Sequence, residues 1–298
     1  MKARNADLLM MLVTMSWGSS YLFMKTGLDS VSPFNLVALR FGLAFVLCAA
    51  IWFKRLRSTD KMTLMYAFVL GFILFAVSAS IIFGLGSTST SNAGFLASLT
   101  VIFVPALSAI VLKQKPEAKL IAGACSALIG IGLLTISGPM SIKPGDLLCI
   151  LAALLYAAHI LVTGAAAKTA DTLNLGILQL GFAAGFGLVF SFMFEHPRLP
   201  ESTGGWVSIL ILSVVCSAIG YIVQSIAQKY TTPAHTGLVF SLEPVFAAIF
   251  AYLFANELLP LRGYVGAALI LLGVLMAEVK RKSVTPDRVG YGNGKGVS

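Results

Sequence analysis

Charged residues are scarce in this chain: only 11% of its 298 residues are Asp, Glu, Lys or Arg, whereas 58% are hydrophobic. A soluble domain with so little charge would not stay in solution, which excludes a soluble protein. The mean hydropathy of +0.91 is typical of a polytopic membrane protein. Because a membrane helix needs about 20 residues, the length leaves room for roughly ten helices and for no sizeable soluble domain.

Acidic residues, histidines and cysteines are few as well, at 12, 3 and 4. The sequence contains no deep acidic pair for a protease dyad, no acidic cluster for magnesium, no paired histidines for zinc and no phosphate-binding glycine loop. We therefore expect no enzyme activity, no metal and no cofactor. Each cysteine lies in an apolar segment, which predicts a small apolar side chain rather than a disulfide or metal ligand: Cys48, Cys125, Cys149 and Cys216.

Basic residues outnumber acidic ones and give a formal charge of +9. They form short clusters between apolar runs instead of one basic face, so they predict membrane orientation and not nucleic-acid binding. With the N-terminus in the cytoplasm, the basic residues that fall on the opposite side are only Lys25, Lys143, Arg198 and Arg262. We therefore expect both termini in the cytoplasm of a multi-pass protein of the cell membrane.

Ten apolar segments are long enough to span a bilayer. They lie at about residues 7–27, 33–53, 62–84, 92–112, 118–137, 146–166, 173–194, 206–227, 234–255 and 261–279. We number them as helices 1 to 10 and expect one compact all-α bundle, because the connections are short.

The two halves of the chain resemble each other. At an offset of 139 residues, DLLMMLVTMSW aligns with DLLCILAALLY, and later the offset becomes 143. We call residues at equivalent places repeat mates, and they include Asp7/Asp146, Trp17/Tyr156, Asn35/Asn174, Arg40/Gln179, Gly42/Gly181, Gly94/Gly237, Ser98/Ser241, Gly123/Gly266 and Gly130/Gly273.

Five spans per repeat is an odd number, so the second half is predicted to cross the membrane upside down relative to the first. The predicted units are residues 1–138, residues 139–280 and a flexible basic tail at 281–298. Two inverted halves can open alternately to either side of a membrane around a central site. That arrangement favours transport over catalysis or reception.

Helices 4 and 9 occupy equivalent places in the repeats, and each contains a proline, Pro105 and Pro244. Paired interruptions of this kind indicate a transporter binding site, so both prolines are candidate hinges. Each proline deprives the carbonyl four residues earlier, at Val101 and Phe240, of its helical partner. That carbonyl meets either a Ser or Thr side chain, a water-filled cavity, or substrate.

Glu243 and Arg40 are the two charges that lie deep within apolar segments. A charge at membrane depth costs roughly 2.5–3.5 kcal/mol on insertion scales, so each is expected to have a partner or a task. At 1.5 Å per residue the two lie roughly 10 Å apart along the membrane normal, so a direct ion pair requires helix tilt. Each either contacts substrate or serves as a structural tie between helices.

Polar and aromatic side chains mark three further helices. Helix 8 carries a stripe at helical spacing, Ser213, Ser217, Tyr221, Gln224 and Gln228, which either lines a cavity or joins helices by hydrogen bonds. The aromatic residues of helices 1 and 6 lie too deep to be interfacial anchors, so they either pack or line a cavity. His159 is either a proton carrier or a hydrogen-bonded structural residue. The candidate binding residues are thus Trp17, Tyr21, Arg40, Tyr156, His159, Tyr221, Gln224 and Glu243.

Four segments, SWGSSYLFMK, PFNLVALRFGLA, SNAGFLASLTVIFVPALSAIVLKQKP and TGLVFSLEPVFAAIFAYLFANELLPLRGYVGAALILLGV, resemble EamA-type members of the drug/metabolite transporter superfamily. The resemblance covers nearly the whole chain. It implies ten helices in two inverted repeats, a central cavity, and movement of small organic metabolites across the plasma membrane, often outward. Family-like positions are Trp17, Arg40, Pro105, Glu243, Pro244 and Glu257. The first repeat has Gln114–Lys115 where the second has Asn256–Glu257, so a helix-end role for that acid is not mirrored.

The leading hypothesis is a secondary transporter, an exporter or exchanger of small organic metabolites such as amino acids, that works by alternating access. Its partners are then a small solute and the lipid bilayer. The sequence leaves open whether transport is proton-coupled, and whether the protein is a monomer or a homodimer. The alternatives from other classes are a membrane-embedded lipid-modifying enzyme and a non-transporting scaffold.

Overall fold

Helices account for nearly all of the described chain. The structure is a computed structural model, and it describes residues 1, 3–88, 90–113, 117–135, 143–255 and 260–278. No strand occurs within these ranges. The α-helices are α1 (Ala3–Gly18), α2 (Ser20–Leu28), α3 (Pro33–Leu56), α4 (Lys61–Leu85), α5 (Thr90–Ala97), α6 (Thr100–Val111), α7 (Ala118–Thr135), α8 (Pro144–Ala166), α9 (Thr172–Phe194), α10 (Thr203–Ile211), α11 (Gly220–Ala227), α12 (Pro233–Phe240), α13 (Glu243–Ala255) and α14 (Leu261–Glu278). A π-helical segment, Leu212–Ile219, joins α10 to α11 and is called the π segment below.

Eight helices in the described ranges are long and apolar enough to cross a membrane. They coincide with the predicted segments from 33–53 to 234–255. The two outermost predictions differ: residues 7–27 are divided between α1 and α2 at Ser19, and Leu261–Met276 is a shorter apolar helix. The all-helical fold is confirmed for the described residues, and the total of ten spans stays a prediction. The tail at 281–298 lies outside the described residues.

Capping side chains and prolines set where several helices begin. Asp60 and Asp171 accept hydrogen bonds from backbone N–H groups in the first turns of α4 and α9. Pro33, Pro144 and Pro233 are the first residues of α3, α8 and α12. Proline suits that place, because its missing N–H group would have no helical partner there anyway.

Asp171 also ties two helix ends together, because Arg55 at the end of α3 donates to its carboxylate at 2.9 Å. Burial raises the pKa of the Asp171 carboxyl, whereas hydrogen bonds from Arg55 and from the backbone N–H of Asn174 lower it. The net pKa lies below the usual value of aspartic acid. The folded protein therefore favours the ionised form.

Helices α7 and α14 are antiparallel and contact each other through glycines. A Cβ atom on Gly123 would lie 2.6 Å from the Gly273 carbonyl oxygen, and one on Gly130 would lie 2.5 Å from the Gly266 carbonyl oxygen. Gly123 and Gly266 are repeat mates, as are Gly130 and Gly273, so each glycine contacts the mate of the other. Such exchanged contacts are the mark of a two-fold relation between the two surfaces.

Helices α3 and α9 repeat this exchange elsewhere in the bundle. A Cβ atom built on Gly42 would lie 3.8 Å from the Ala184 Cβ atom. One built on Gly181 would lie 2.9 Å from the Phe45 ring. At the 139-residue offset, the mate of Gly42 is Gly181 and the mate of Phe45 is Ala184. These contacts also run antiparallel, so both helix pairs place equivalent surfaces face to face.

The largest buried cluster contains Met10, Phe41, Leu74, Leu180 and Ile209, from helices of both halves. The outer surface remains apolar, with large exposed side chains on most helices. An apolar surface is what lipid chains require of a spanning bundle. Within the described bundle, buried polar residues such as Arg40 and Gln179 are therefore the candidates for solute contact.

Candidate functional site

A cavity lies between the two halves of the chain. Its walls come from the α1–α2, α4, α5–α6, α8 and α12–α13 segments, with single side chains from α3 and α11. The cavity volume is about 80 Å³. A water molecule needs roughly 10–15 Å³ by the same measure, so the space holds several waters or a small solute.

Two interrupted helices border the cavity at equivalent places in the repeats. Helix 4 is broken between α5 and α6 at Ser98–Leu99, and helix 9 is broken between α12 and α13 at Ser241–Leu242. In both breaks the second residue donates its backbone N–H to the carbonyl three residues earlier, at 3.2 Å in the first break and 3.1 Å in the second. The breaks lie 143 residues apart, so the interruption belongs to the repeat.

The prolines stand differently in the two breaks. Pro244 is the second residue of α13, where a missing N–H is tolerated, and it favours the start of a new helix directly after the break. Pro105 is the sixth residue of α6, inside a continuous helix. The repeated interruption is thus the Ser–Leu turn and not the proline, and the hinge role of both prolines stays a prediction.

An aromatic cluster forms one side of the cavity. The Trp17 indole lies 5.8 Å from the Tyr156 ring, 5.2 Å from the Tyr221 ring and 5.0 Å from the Phe240 ring, measured between centroids. Tyr156 also stacks on Phe240 at 6.1 Å. Such offset and edge-on pairs add about 0.5–1.5 kcal/mol each beyond their burial. The predicted repeat mates Trp17 and Tyr156 therefore meet in one rigid wall.

The π segment holds two of the cavity residues in place. The Trp17 indole Nε1–H donates to the Cys216 carbonyl oxygen at 2.7 Å, and the Arg40 Nε–H donates to Ser217 Oγ at 2.7 Å. Both acceptors belong to the π segment, whose wider turn changes which carbonyls are available to side chains. Short π-helical insertions are frequent at functional sites. Ser217 was predicted as part of the polar stripe, and it anchors Arg40.

Arg40 and Glu243 both border the cavity, and both are exceptional charges in an apolar bundle. Arg40 is 5% exposed, and its guanidinium also contacts Met24 Sδ at 3.6 Å. Tyr21 borders the same cavity as the Glu243 carboxylate. Among the described residues, no ion pair within 4.0 Å joins Arg40 to Glu243. The two charges therefore face one space without neutralising each other directly.

His159 and Gln224 lie behind the aromatic cluster and do not border the cavity. His159 is fully buried and pairs through Nε2 with Gln179 Oε1 at 2.9 Å. Gln224 accepts from the Tyr156 hydroxyl at 3.4 Å and donates to Gln228 at 3.0 Å. These amides and the imidazole form a polar network between α8, α9 and α11 on the far side of the cluster.

Six of the eight predicted binding residues therefore border one cavity: Trp17, Tyr21, Arg40, Tyr156, Tyr221 and Glu243. The sequence reasoning missed several small polar residues of the wall, Ser20, Ser78, Ser98, Thr100 and Ser241. For Ser98 and Thr100 a signal existed, because their mates Ser241 and Glu243 lie just before the proline of helix 9. For Ser78 the sequence offers no such signal. Glu257 lies outside the described residues.

Comparison with known proteins places the fold and the family. Residues 4–136 and residues 143–278 each match the EamA-like transporter family. An uncharacterized transporter of Archaeoglobus fulgidus is 30% identical over 276 residues, which cover 92% of this chain and 86% of that protein. The uncharacterized transporter YoaV of Bacillus subtilis is 22% identical, with 89% of this chain and 93% of that protein covered.

Two further similarities are more distant in sequence. A probable terminal-alkyne amino-acid exporter of Streptantibioticus cattleyicolor is 23% identical, with 97% of this chain and 100% of that protein covered. A solved crystal structure superposes with a TM-score of 0.77 at 19% identity, covering 92% of this chain and 96% of that one. The second likeness shows a shared fold.

Proposed function

Since the chain belongs to the EamA-like transporter family, we propose that it is a secondary transporter, an exporter or exchanger of small organic solutes in the cell membrane. We place ten spans in two inverted repeats, residues 1–138 and 139–280, with both termini and the tail at 281–298 in the cytoplasm. The two successive family matches and the exchanged antiparallel glycine contacts support the inverted arrangement. The relatives that the comparisons identify are named as transporters, which supports transport over catalysis.

The observation that carries the proposal is the pair of opposite charges at one cavity between the repeats. An intramembrane charge is expensive and marks a solute pathway by default. Hydrogen bonds within the described chain use two of the five N–H donors of Arg40, which leaves donors for a carboxylate. The Glu243 carboxylate can accept from an ammonium group. The aromatic cluster then takes the apolar part of the solute.

A small zwitterion such as an amino acid carries the matching groups, a carboxylate and an ammonium on an apolar stem. The cavity volume of about 80 Å³ suits a small solute, since sites for drug-sized ligands measure about 300–1,000 Å³. The relative from Streptantibioticus cattleyicolor, named as a probable amino-acid exporter, supports the same class. We therefore propose amino acids and closely related compounds as substrates.

Ligand-dependent stabilisation of the purified protein tests the site. A ligand that binds only the folded state raises the apparent melting temperature by mass action. We expect amino acids to stabilise the wild type more than amines or carboxylic acids of equal size. Arg40→Gln should abolish the advantage of compounds that carry a carboxylate, and Glu243→Gln the advantage of those that carry an ammonium. Equal loss of all responses in both variants would show that the charges only hold the fold.

Energy coupling has a separate test. Moving one charge across 100 mV is worth about 2.3 kcal/mol, so a titrating group in the pathway can couple solute flux to the proton gradient. A facilitator or exchanger has no such requirement. Flux measured in the presence and absence of a protonophore distinguishes the two mechanisms, because only a coupled transporter loses its concentrating power.

A further inference from the structure

The wall of the cavity divides into a central part and a lateral part when each residue is compared with its repeat mate. In four mate pairs both members border the cavity: Trp17/Tyr156, Ala97/Phe240, Ser98/Ser241 and Thr100/Glu243. A residue and its mate can share one space only near the pseudo-two-fold axis. The central part therefore draws on both halves, and its residues border the solute space in either arrangement of the halves.

The lateral part of the wall breaks the symmetry. Four of its residues come from α2 and α3, namely Ser20, Tyr21, Met24 and Arg40. At the 139-residue offset their mates are His159, Ile160, Thr163 and Gln179, each 0% exposed and none at the cavity. One side of the centre is thus open and the equivalent side is packed shut.

We infer that His159, Thr163 and Gln179 line a second solute cavity, closed in this conformation, on the opposite side of the aromatic cluster. The inference rests on the proposed transport function, because exchange between two inverted halves requires each lateral wall to open in turn. The two cavities share the central residues and differ in the lateral ones. The solute stays at the centre while its surroundings change.

Unpaired polar atoms point to the same place independently of the symmetry. His159 Nδ1 and Thr163 Oγ1 are fully buried and have no hydrogen-bond partner. A buried polar group without a partner is destabilising, and most such groups in native proteins are paired. Water or solute in a cavity at this place would satisfy both atoms. The packed side therefore carries polar groups that suit an open state.

The contacts that hold the second cavity closed are local. Gly164 packs on Pro233, because a Cβ atom built on Gly164 would lie 3.0 Å from the Pro233 ring. In the second contact, Gln228 Nε2 donates to the Ile160 carbonyl oxygen at 2.9 Å. The first contact joins α8 to the start of α12, and the second joins α8 to the residue that follows α11. Separation of these elements would expose Thr163 and His159 to the space beyond them.

The two lateral walls differ in charge, which sets what each can bind. The first presents the Arg40 guanidinium, whereas the equivalent place in the second holds the neutral amide of Gln179. The second wall therefore offers an imidazole, a hydroxyl and an amide, which contact a solute by hydrogen bonds alone. A carboxylate-bearing solute would be held more firmly on the Arg40 side.

Cysteine accessibility from the two membrane faces tests the inference. Thr163→Cys is compared with its mate Met24→Cys, using a cationic, membrane-impermeant methanethiosulfonate on intact cells and on inside-out vesicles, with the labelled site identified by peptide mass spectrometry. We expect Met24→Cys to react from one face and Thr163→Cys from the other. If the second cavity is open for about 0.1–10% of the time, Thr163→Cys reacts about 10- to 1,000-fold more slowly.

Ala166→Cys is the matched control, because Ala166 is equally buried in α8 but packs in the cluster with Ala67 and Leu70. It should not react from either face. Reaction of Thr163→Cys from the same face as Met24→Cys, or only after unfolding, overturns the inference. Solute exchange is measured on the same Thr163→Cys preparation: exchange without labelling refutes the second cavity alone, whereas absence of exchange in the wild type refutes transport.

Discussion

Gly220 offers a sharp test of whether the position of Trp17 matters for solute binding. A Cβ atom at Gly220 would lie 2.7 Å from Trp17 Nε1, whereas ordinary contacts begin at 3.4 Å. In Gly220→Ala the indole must therefore withdraw by about 0.7 Å, the difference between these distances. The hydrogen bond to the Cys216 carbonyl, now 2.7 Å, would then exceed the usual 3.2 Å limit.

Two effects of Gly220→Ala partly cancel in the free energy of unfolding, whereas no such cancellation applies to solute binding. Loss of this buried hydrogen bond costs about 1–3 kcal/mol. Alanine in place of a helical glycine returns about 0.8–1.0 kcal/mol, so the free energy of unfolding should change by less than about 2 kcal/mol. A solute that needs the Trp17 indole in its original position must push it back against the new Cβ atom, so we expect solute affinity to fall by about 5- to 150-fold, which corresponds to about 1–3 kcal/mol. Solute-dependent melting shifts and the KM of exchange measure the two effects separately.

Two comparisons make this prediction refutable. Gly185→Ala is the matched control, because a Cβ at Gly185 meets no atom within 4 Å, and it should bind solute as the wild type does. Trp17→Phe removes the indole nitrogen, so adding Gly220→Ala to it should have little further effect, and the cycle should be strongly non-additive. Wild-type affinity in Gly220→Ala, or additive effects in the cycle, would show that the reasoning about Trp17 is wrong.

Three further predictions concern other parts of the bundle. Gly130→Ala should destabilise the protein by about 1–3 kcal/mol in thermal unfolding, because the new Cβ atom would lie 2.5 Å from the Gly266 carbonyl oxygen. An effect no larger than that of Gly185→Ala would contradict the α7–α14 contact. Asp171→Ala should lose about 0.5–2 kcal/mol from the α9 cap. Since the folded pKa of Asp171 lies below its unfolded value near 3.9, that difference should be full at neutral pH and shrink as pH falls below about 4; a pH-independent difference would refute the role of the ionised form. Tyr156→Phe should exchange solute nearly as the wild type does, because the hydroxyl contact to Gln224 is 3.4 Å long, whereas Tyr156→Ala should be impaired; equal loss in both would assign the effect to the hydroxyl.

The sequence predicts the fold well because membrane helices are recognisable from their length and hydropathy. The predicted segments between residues 33 and 255 agree with the observed helices to within a few residues. The first span differs because the turn at Ser19 divides it into two helices, each too short to cross a membrane by itself. A Cβ atom built on Gly18, next to this turn, would lie 3.0 Å from the Glu243 carbonyl oxygen at the start of α13, a close approach that pattern reasoning does not reveal.

The candidate site was predictable where side chains are unusual for a membrane. Arg40, Glu243 and the predicted aromatic residues are unusual side chains for a membrane segment, and they border the cavity. His159 is equally unusual, but it is packed on the opposite side of the aromatic cluster. The π segment was not predictable, because its residues LSVVCSAI contain no glycine or proline that would mark an irregular turn. The Trp17 partner was missed for the same reason, since it is a backbone carbonyl that a regular helix would keep for itself.

The prolines show how a correct signal can be attached to the wrong residue. Paired prolines in helices 4 and 9 correctly indicated paired interruptions at the cavity. The interruptions lie instead at Ser98–Leu99 and Ser241–Leu242, where short three-residue turns replace the helical hydrogen bonds. Only Pro244 is adjacent to its break. The repeat at an offset of 143 residues, rather than proline itself, was the more informative pattern.

The most direct test of solute transport is counterflow in liposomes reconstituted with the purified protein. A pool of unlabelled neutral amino acid inside should accelerate entry of the labelled amino acid, and Glu243→Gln should impair this exchange while the amount of folded protein stays near that of the wild type. The proposed transporter would be contradicted if the wild type accelerates no exchange of any amino acid, amine or organic acid pool under any imposed gradient.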